Sequence, residues 1–246
     1  MTSREQTGFL AKDHEANAHV TWRDRLTVAL FAPFTAPFLL KSLRGGSKSE
    51  KARLLERLDL PADALPHLGS WKADTGLLHL ICDTIEREKP QRVVEFGCGA
   101  SSLVIAAALK KAGCPPHLSF DQHADFVEKT KEWLATHGLE ADIRHAALKP
   151  SEDWPGLFYD LPEIEPGIEL VIIDGPPWSL HPMTRGGADR LFPLLAHGAT
   201  VLLDDANRPG ERLVARRWKS AWPGIDFRRW TGGEKGTLIG TVRAGA

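Results

Sequence analysis

The sequence predicts an α/β fold: a mostly parallel sheet with helices on both faces, preceded by an N-terminal helical extension. Two observations, joined by a general rule of chain topology, predict it. From about residue 69 onward, short apolar runs bounded by glycine, proline or acid alternate with stretches of helical periodicity. Strands that alternate with helices pair in parallel through right-handed crossovers. The last two runs, Asp226–Trp230 and Thr237–Val242, have no helix between them and are separated by Thr231-Gly232-Gly233, so they form an antiparallel hairpin.

The chain divides near residue 68, into an extension over 1–68 and a main domain over 69–246. The first twenty residues include Arg4, Glu5, Lys12, Asp13, His14 and Glu15 and are too polar for a secretory signal. Leu26–Leu40 carries no charge. Pro33 and Pro37 interrupt it, and it falls short of the roughly 20 apolar residues that span a bilayer. Arg23 and Arg25 precede it; Lys41, Arg44, Lys48 and Lys51 follow. Such a segment suits either an anionic membrane surface, through residues 23–53, or a helix that packs on the main domain and lids its pocket. Gly45-Gly46-Ser47 marks a loop, and Leu54, Leu55 and Leu58 mark a helix closed by Pro61.

In the main domain, Thr75–Glu88 is helical, with Leu77, Leu78, Ile81, Cys82 and Ile85 on one face. The first strand, Arg92–Phe96, stops at Gly97-Cys98-Gly99, and a helix spans Ser101–Lys111. The second strand, Leu118–Phe120, stops at Asp121; a helix spans Asp125–Thr136, and a third strand lies within Asp142–Ala147. A connection rich in proline, tryptophan and acid fills 150–166. The fourth strand, Glu169–Ile173, ends in Asp174-Gly175-Pro176-Pro177. A helix over Gly187–Leu195 leads to the fifth strand, Thr200–Leu203, which ends in Asp204-Asp205; a helix over Gly210–Trp222 follows.

Composition excludes several function classes. The 31 Lys and Arg against 32 Asp and Glu leave a net charge of −1, with 42% hydrophobic residues. A disordered chain would lack that apolar content, and a bulk nucleic-acid binder would carry a positive field. Cys82, Cys98 and Cys114 are scattered, which argues against a disulfide scaffold or structural zinc and fits a reducing cytoplasm.

Parallel sheets bind ligands outside the carboxyl ends of their strands. The informative residues therefore sit at Glu95–Gly99, at Asp121 with Gln122, at Asp174, and at Asp204-Asp205. Gly97 and Gly99 permit a tight turn and close backbone approach. Ser102 stands where a dinucleotide fingerprint wants a third glycine, and no Lys-Ser/Thr follows as in a P-loop. Glu95 would repel a pyrophosphate but suits a cationic ligand. Asp121 can accept hydrogen bonds from both hydroxyls of an adenosine ribose.

The segment Val94-Glu95-Phe96-Gly97-Cys98-Gly99-Ala100-Ser101-Ser102, followed by Asp174-Gly-Pro-Pro and Asp204-Asp205-Ala-Asn-Arg-Pro-Gly-Glu, resembles the class I S-adenosylmethionine-dependent methyltransferases, in a bacterial small-molecule subgroup. The resemblance covers about Gly69 to Val242. It implies a Rossmann-like seven-stranded sheet whose last strand is antiparallel. It implies that Gly97, Cys98, Gly99, Ser101, Ser102 and Gln122 line S-adenosyl-L-methionine, that Glu95 sits near its methionine end, and that Asp121 holds its ribose. Trp71, in Gly69-Ser70-Trp71, would close over it, and Asp174 would reach it from the fourth strand. The implied reaction is methyl transfer to a small-molecule acceptor, at the hydroxyl of a sugar or similar metabolite.

A hydroxyl acceptor must lose a proton, to a general base or with the help of a metal. Asp174, His181 and Asp205 are the catalytic candidates. Asp174, Asp204 and Asp205, with Asn207 nearby, are hard oxygen ligands that suit Mg²⁺. Related sugar methyltransferases place a histidine soon after the fourth-strand acid, whereas here Pro177 and Trp178 stand there and His181 comes later. Arg185 and Arg208 could orient an anionic acceptor. Trp178, like Trp71, sits beside a rim motif, whereas Trp133 and Trp218 fall in helical patterns and suit packing. The competing readings are aminopropyl transfer on the same fold and a membrane-associated or degenerate cofactor-binding protein. Nucleic acid is not an expected partner, and oligomeric state stays open.

Overall fold

The computed structural model describes residues 14–243, so the polar start through Asp13 lies outside the described residues. Helix α1 (Trp22–Ser42) begins in a capping box: Thr21 Oγ1 accepts from Asp24 N, and Asp24 Oδ2 accepts from Thr21 N at 2.8 Å. Pro33 and Pro37 lie inside this helix on its exposed side, where carbonyls that lose their partner can turn to water. Helix α2 (Lys48–Arg57) opens with a second capping box, Ser47 with Glu50. Its Leu54 and Leu55, with Leu58, Leu65 and Leu68, join the core built by helix α3 (Thr75–Glu88). Residues 47–68 therefore share the hydrophobic core of the main domain.

The elements that follow are strand β1 (Val93–Phe96), helix α4 (Ala100–Ala112), strand β2 (Leu118–Asp121), helix α5 (Ala124–Thr136) and strand β3 (Asp142–His145). Then come short strands β4 (Leu148–Pro150) and β5 (Leu157–Tyr159), strand β6 (Ile168–Ile173), strand β7 (Leu195–Leu203), helix α6 (Pro209–Ala221), and strands β8 (Ile225–Trp230) and β9 (Thr237–Val242). Seven strands form one sheet in the order β3-β2-β1-β6-β7-β9-β8. The neighbours from β3 to β7 pair in parallel, and β9 runs antiparallel to both β7 and β8. Strand order reverses between β1 and β6, which opens a crevice at their carboxyl ends.

Two departures from the expected elements have local causes. The helix expected over 187–195 spans Thr184–Leu194 and takes the tighter 3-10 form. A Cβ at Gly186 would stand 2.1 Å from the Trp154 ring and one at Gly187 2.7 Å from the Phe158 ring, so the two glycines admit both aromatics. Pro193 also withholds an N–H. Within 150–166, β5 pairs with β4 in a small antiparallel sheet whose three-residue strands are too short to show alternation. Trp218 is fully buried in packing, its Nε1 donating to Gly186 O.

Candidate active site at the strand ends

One cavity opens at the carboxyl ends of β1, β2, β6 and β7. Its first wall is the loop after β1, where Gly97, Cys98, Gly99 and Ser101 all face the space. Gly97 has φ +91, and a Cβ there would lie 2.7 Å from Gly175 N. Phe96 O accepts from both Asp174 N and Gly175 N, so the loops after β1 and β6 are in backbone contact. Asp121 also lines the cavity. Its Oδ2 accepts from Cys98 N at 3.2 Å and its Oδ1 from His123 N at 2.8 Å. Burial pushes its carboxyl up to about 7, despite these two hydrogen bonds. Gln122 lines the same wall, with its Oε1 accepting from the Tyr159 hydroxyl. Trp71 stands across from them, edge-on to Phe126.

Two expected cofactor residues lie elsewhere. Glu95 and Ser102 are fully buried behind the loop and do not line the cavity. Side chains alternate along a strand, so Glu95 points to the same face as Val93, toward the start of α4. There Glu95 Oε2 accepts from Ser102 Oγ at 2.6 Å and Ser119 Oγ at 2.7 Å, and Ser102 Oγ accepts from Gly99 N at 2.9 Å. The carboxylate holds the loop from beneath. Burial pushes the Cys98 thiol well up, so it remains a small neutral packing group.

The cavity is also lined by Asp174, Pro177, Trp178, Arg185, Asp205 and Arg208. Asp205 has φ +59, a conformation acids tolerate better than most residues. Burial raises its carboxyl, but Arg208, Lys235 and Arg185 outweigh that and hold it below the ordinary range. Arg208 Nη2 lies 2.7 Å from Asp205 Oδ1, and Arg185 Nη1 lies 2.9 Å from Asp205 Oδ2. Burial leaves Asp174 raised, with Arg185 Nη2 3.2 Å from its Oδ1. Asp204 lies beneath, raised well up by burial although Lys235 Nζ is 3.2 Å from its Oδ2.

His181 is not at this cavity. It packs against Gly156, where an added Cβ would lie 2.5 Å from its own Cβ, and its Nδ1 accepts from Met183 N. Arg185 is fully engaged by five hydrogen bonds, to the carbonyls of Pro176, Asp174 and Asp204 and the carboxylates of Asp174 and Asp205. It therefore braces the loops and has no arm for an acceptor. Asn207 packs on Gly236 and does not line the cavity.

Sequence reasoning missed Lys72 and Lys235, whereas the end of α1 falls in the segment that it offered as a helix over the pocket. Lys72 lines the cavity with its Nζ 4.6 Å from the Trp71 ring centre, and its place beside Trp71 was the available signal. Leu39, Ser42 and Leu43 complete the cavity wall, so α1 contributes to the site that it borders in space but not in sequence. Lys235 sits in a Gly-Gly-Glu-Lys-Gly turn that looks solvated, and no local signal marks it as buried.

Comparison with known proteins agrees with this architecture. Residues 94–206 match a family model described as a methyltransferase domain. No curated protein sequence matches the chain. Among solved structures, the O-methyltransferase from Bacillus cereus in complex with SAH has a TM-score of 0.53 at 13% identity, covering 89% of this chain and 99% of that one. SAH-bound PaMTH1 of Podospora anserina has a TM-score of 0.54 at 13% identity, over 79% of this chain and 88% of that one. The O-methyltransferase TomG from Streptomyces achromogenes, involved in tomaymycin synthesis and solved with SAM, has a TM-score of 0.50 at 16% identity, over 91% and 100%. At such identities the likeness is one of fold.

Proposed function

We propose that this chain, an S-adenosylmethionine-dependent methyltransferase carrying its methyltransferase domain on the class I fold, moves the methyl group to a hydroxyl oxygen of a small molecule. The observation that carries this reading is one cavity lined by the Gly97–Ser101 loop and Asp121 together with Asp174, Trp178 and Arg208. We assign it two halves, the loop and Asp121 to the first, Asp174, Trp178 and Arg208 to the second. S-adenosylmethionine fits the first half, its ribose hydroxyls donating to Asp121 and Trp71 covering it. The acceptor then occupies the second half. In-line attack forms the O–CH₃ bond as the S–CH₃ bond breaks and its electron pair returns to sulfur. Positioning supplies most of the acceleration.

Asp174 is the better base for the hydroxyl proton. Its carboxyl faces the cavity and is raised by burial, whereas three cations hold Asp205 low and make it a weak base. Arg208 reaches the cavity beside Asp205 and is the cation available to orient an acceptor oxygen. A screen of hydroxylated acceptors with methyl-labelled cofactor tests the reading. Label should pass to oxygen in the wild type, and Asp174→Asn should lower kcat by ~10²–10⁴, the usual share of a general base. Transfer to nitrogen or carbon alone would overturn it.

A second property concerns α1. Among the described residues no helix is long and apolar enough to cross a membrane. Yet Trp22, Leu26, Leu30 and Phe34 follow at helical spacing and are 69%, 51%, 63% and 69% exposed. Arg23 and Arg25 flank this face at one end, Lys41 and Arg44 at the other. An apolar stripe between cations suits the surface of an anionic bilayer, each basic residue there contributing about 1 kcal/mol. The intact protein should co-sediment with anionic vesicles and not with neutral ones. Loss of that difference in the double variant Leu30→Glu, Phe34→Glu supports the contact; equal sedimentation of both proteins removes it. The free thiols Cys82, Cys98 and Cys114 suit a reducing, cytoplasmic setting.

A further inference from the structure

Asp174, Asp204 and Asp205 each offer an oxygen, and these atoms lie within 4.8 Å of one another. That spacing could hold a hard divalent ion. The space is not electrostatically free. Lys235 Nζ lies 3.2 Å from Asp204 Oδ2 and 3.6 Å from Asp205 Oδ1, and the side chain is 1% exposed. Arg185 lies against Asp174 and Asp205, and Arg208 against Asp205. Three carboxylates thus face three side-chain cations, so the strand-end acids are already answered without a metal, with the buried carboxyls of Asp74 and Glu211 at the edge of the cluster. Of the carboxylate oxygens in the cluster, Asp204 Oδ1 is buried without a hydrogen-bond partner. One such oxygen is far short of the six or so ligands that Mg²⁺ or Ca²⁺ requires.

Lys235 is also hard to displace. Its backbone N donates to Asp74 Oδ2 at 2.9 Å, and Asp74 Oδ1 caps α3 by accepting from Leu77 N. Its carbonyl accepts from Asn207 N, and the next carbonyl, of Gly236, accepts from Ala206 N. The loop between β8 and β9 is therefore strapped to the turn after β7 on one side and to α3 on the other. A metal ion entering this space would have to displace the Lys235 ammonium from its carboxylates and strand it in a buried site.

We propose that the Lys235 ammonium takes the place of a divalent cation among the strand-end carboxylates, giving this site a built-in charge and no metal ion. Lys235 is a positioning residue: it holds Asp204 and Asp205, and through Asp205 it sets the Arg208 guanidinium that faces the cavity. The consequence for chemistry, turnover insensitive to chelators, rests on the proposed methyl transfer. The charge substitution itself does not.

Mn²⁺ titration followed by the electron paramagnetic resonance signal of the free ion tests the substitution without any methyl transfer, so its failure and that of the proposed reaction are separate results. The wild type should leave the free Mn²⁺ signal unchanged, and its melting temperature should be the same in EDTA and in Mg²⁺. Lys235→Gln removes one positive charge and keeps most of the stem, so it should raise Mn²⁺ affinity by at least ~10-fold. Wild-type protein that takes up Mn²⁺ one for one, with uptake lost in Asp204→Asn, overturns the proposal. So does a folded Lys235→Gln protein with wild-type Mn²⁺ behaviour. If Lys235→Gln does not fold, the wild-type titration against Asp204→Asn decides alone.

Discussion

Replacing Asp121 with Asn is expected to weaken S-adenosylmethionine binding ~10- to 100-fold at pH 8, the scale of hydrogen bonds to a charged acceptor. Its pH dependence should be equally diagnostic. Burial raises the Asp121 carboxyl to about 7 in the free protein. Ribose hydroxyls donating to it favour the ionised form, so binding lowers that value and releases a proton wherever the free group is protonated. Affinity should therefore be flat above about pH 7 and fall by about tenfold per unit below it. Asp121→Asn has no such proton to lose, and its affinity should be low and nearly level across the same range. Calorimetry at several pH values, in buffers of different ionisation heat, checks both parts. Equal slopes in the two proteins would remove Asp121 from the cofactor site.

Gly97→Ala should cost about 2–5 kcal/mol of stability and abolish measurable cofactor binding. Two effects add. A residue with a Cβ at φ +91 costs about 1–2 kcal/mol, and forcing an atom into a packed site costs about 1–3 kcal/mol. The obstruction is backbone, since the new Cβ would meet Gly175 N at 2.7 Å and Asp174 C at 3.1 Å. Relief requires the β1 and β6 loops to part, and those loops carry both halves of the cavity. For a protein of this size the melting temperature should fall by roughly 10 °C. Gly113→Ala is the control, with φ +71 but nothing within 4 Å of its Cβ. It should cost about 1 kcal/mol. Equal melting temperatures for the two variants would mean that conformational strain, and not the close approach of the loops, governs position 97.

The side of the cavity built by Gly97, Gly99 and Asp121 was legible in the sequence because its signals are local. Gly97 and Gly99 announce a turn, and Asp121 stands at the end of a short run, Leu118–Phe120, that reads as a strand between two helices. The side built by Asp174, Asp205 and Arg208 was less legible. Asp174 and Asp205 were found for the same reason, but His181 was placed by its distance along the chain from Asp174, and the chain turns it away to pack on Gly156. Glu95 illustrates a subtler limit. Its position within the motif was plain, yet the pleat of β1 directs its side chain beneath the loop and away from the ligand space.

The sequence by itself determined the order of strands and helices, the parallel sheet with its terminal hairpin, and the acids at the strand ends. Periodicity and turn chemistry act over a few residues, and a few residues suffice to read them. Only the tertiary structure decided which of those acids face the cavity and which cations answer them. Lys235 reaches Asp204 across 31 positions and Asp74 across 161. Helix α1 closes a wall whose other members lie far beyond it in the chain. Burial and charge pairing depend on which segments meet when the sheet closes. For buried groups these terms decide the outcome, since an unpaired charge costs more than any local preference can supply.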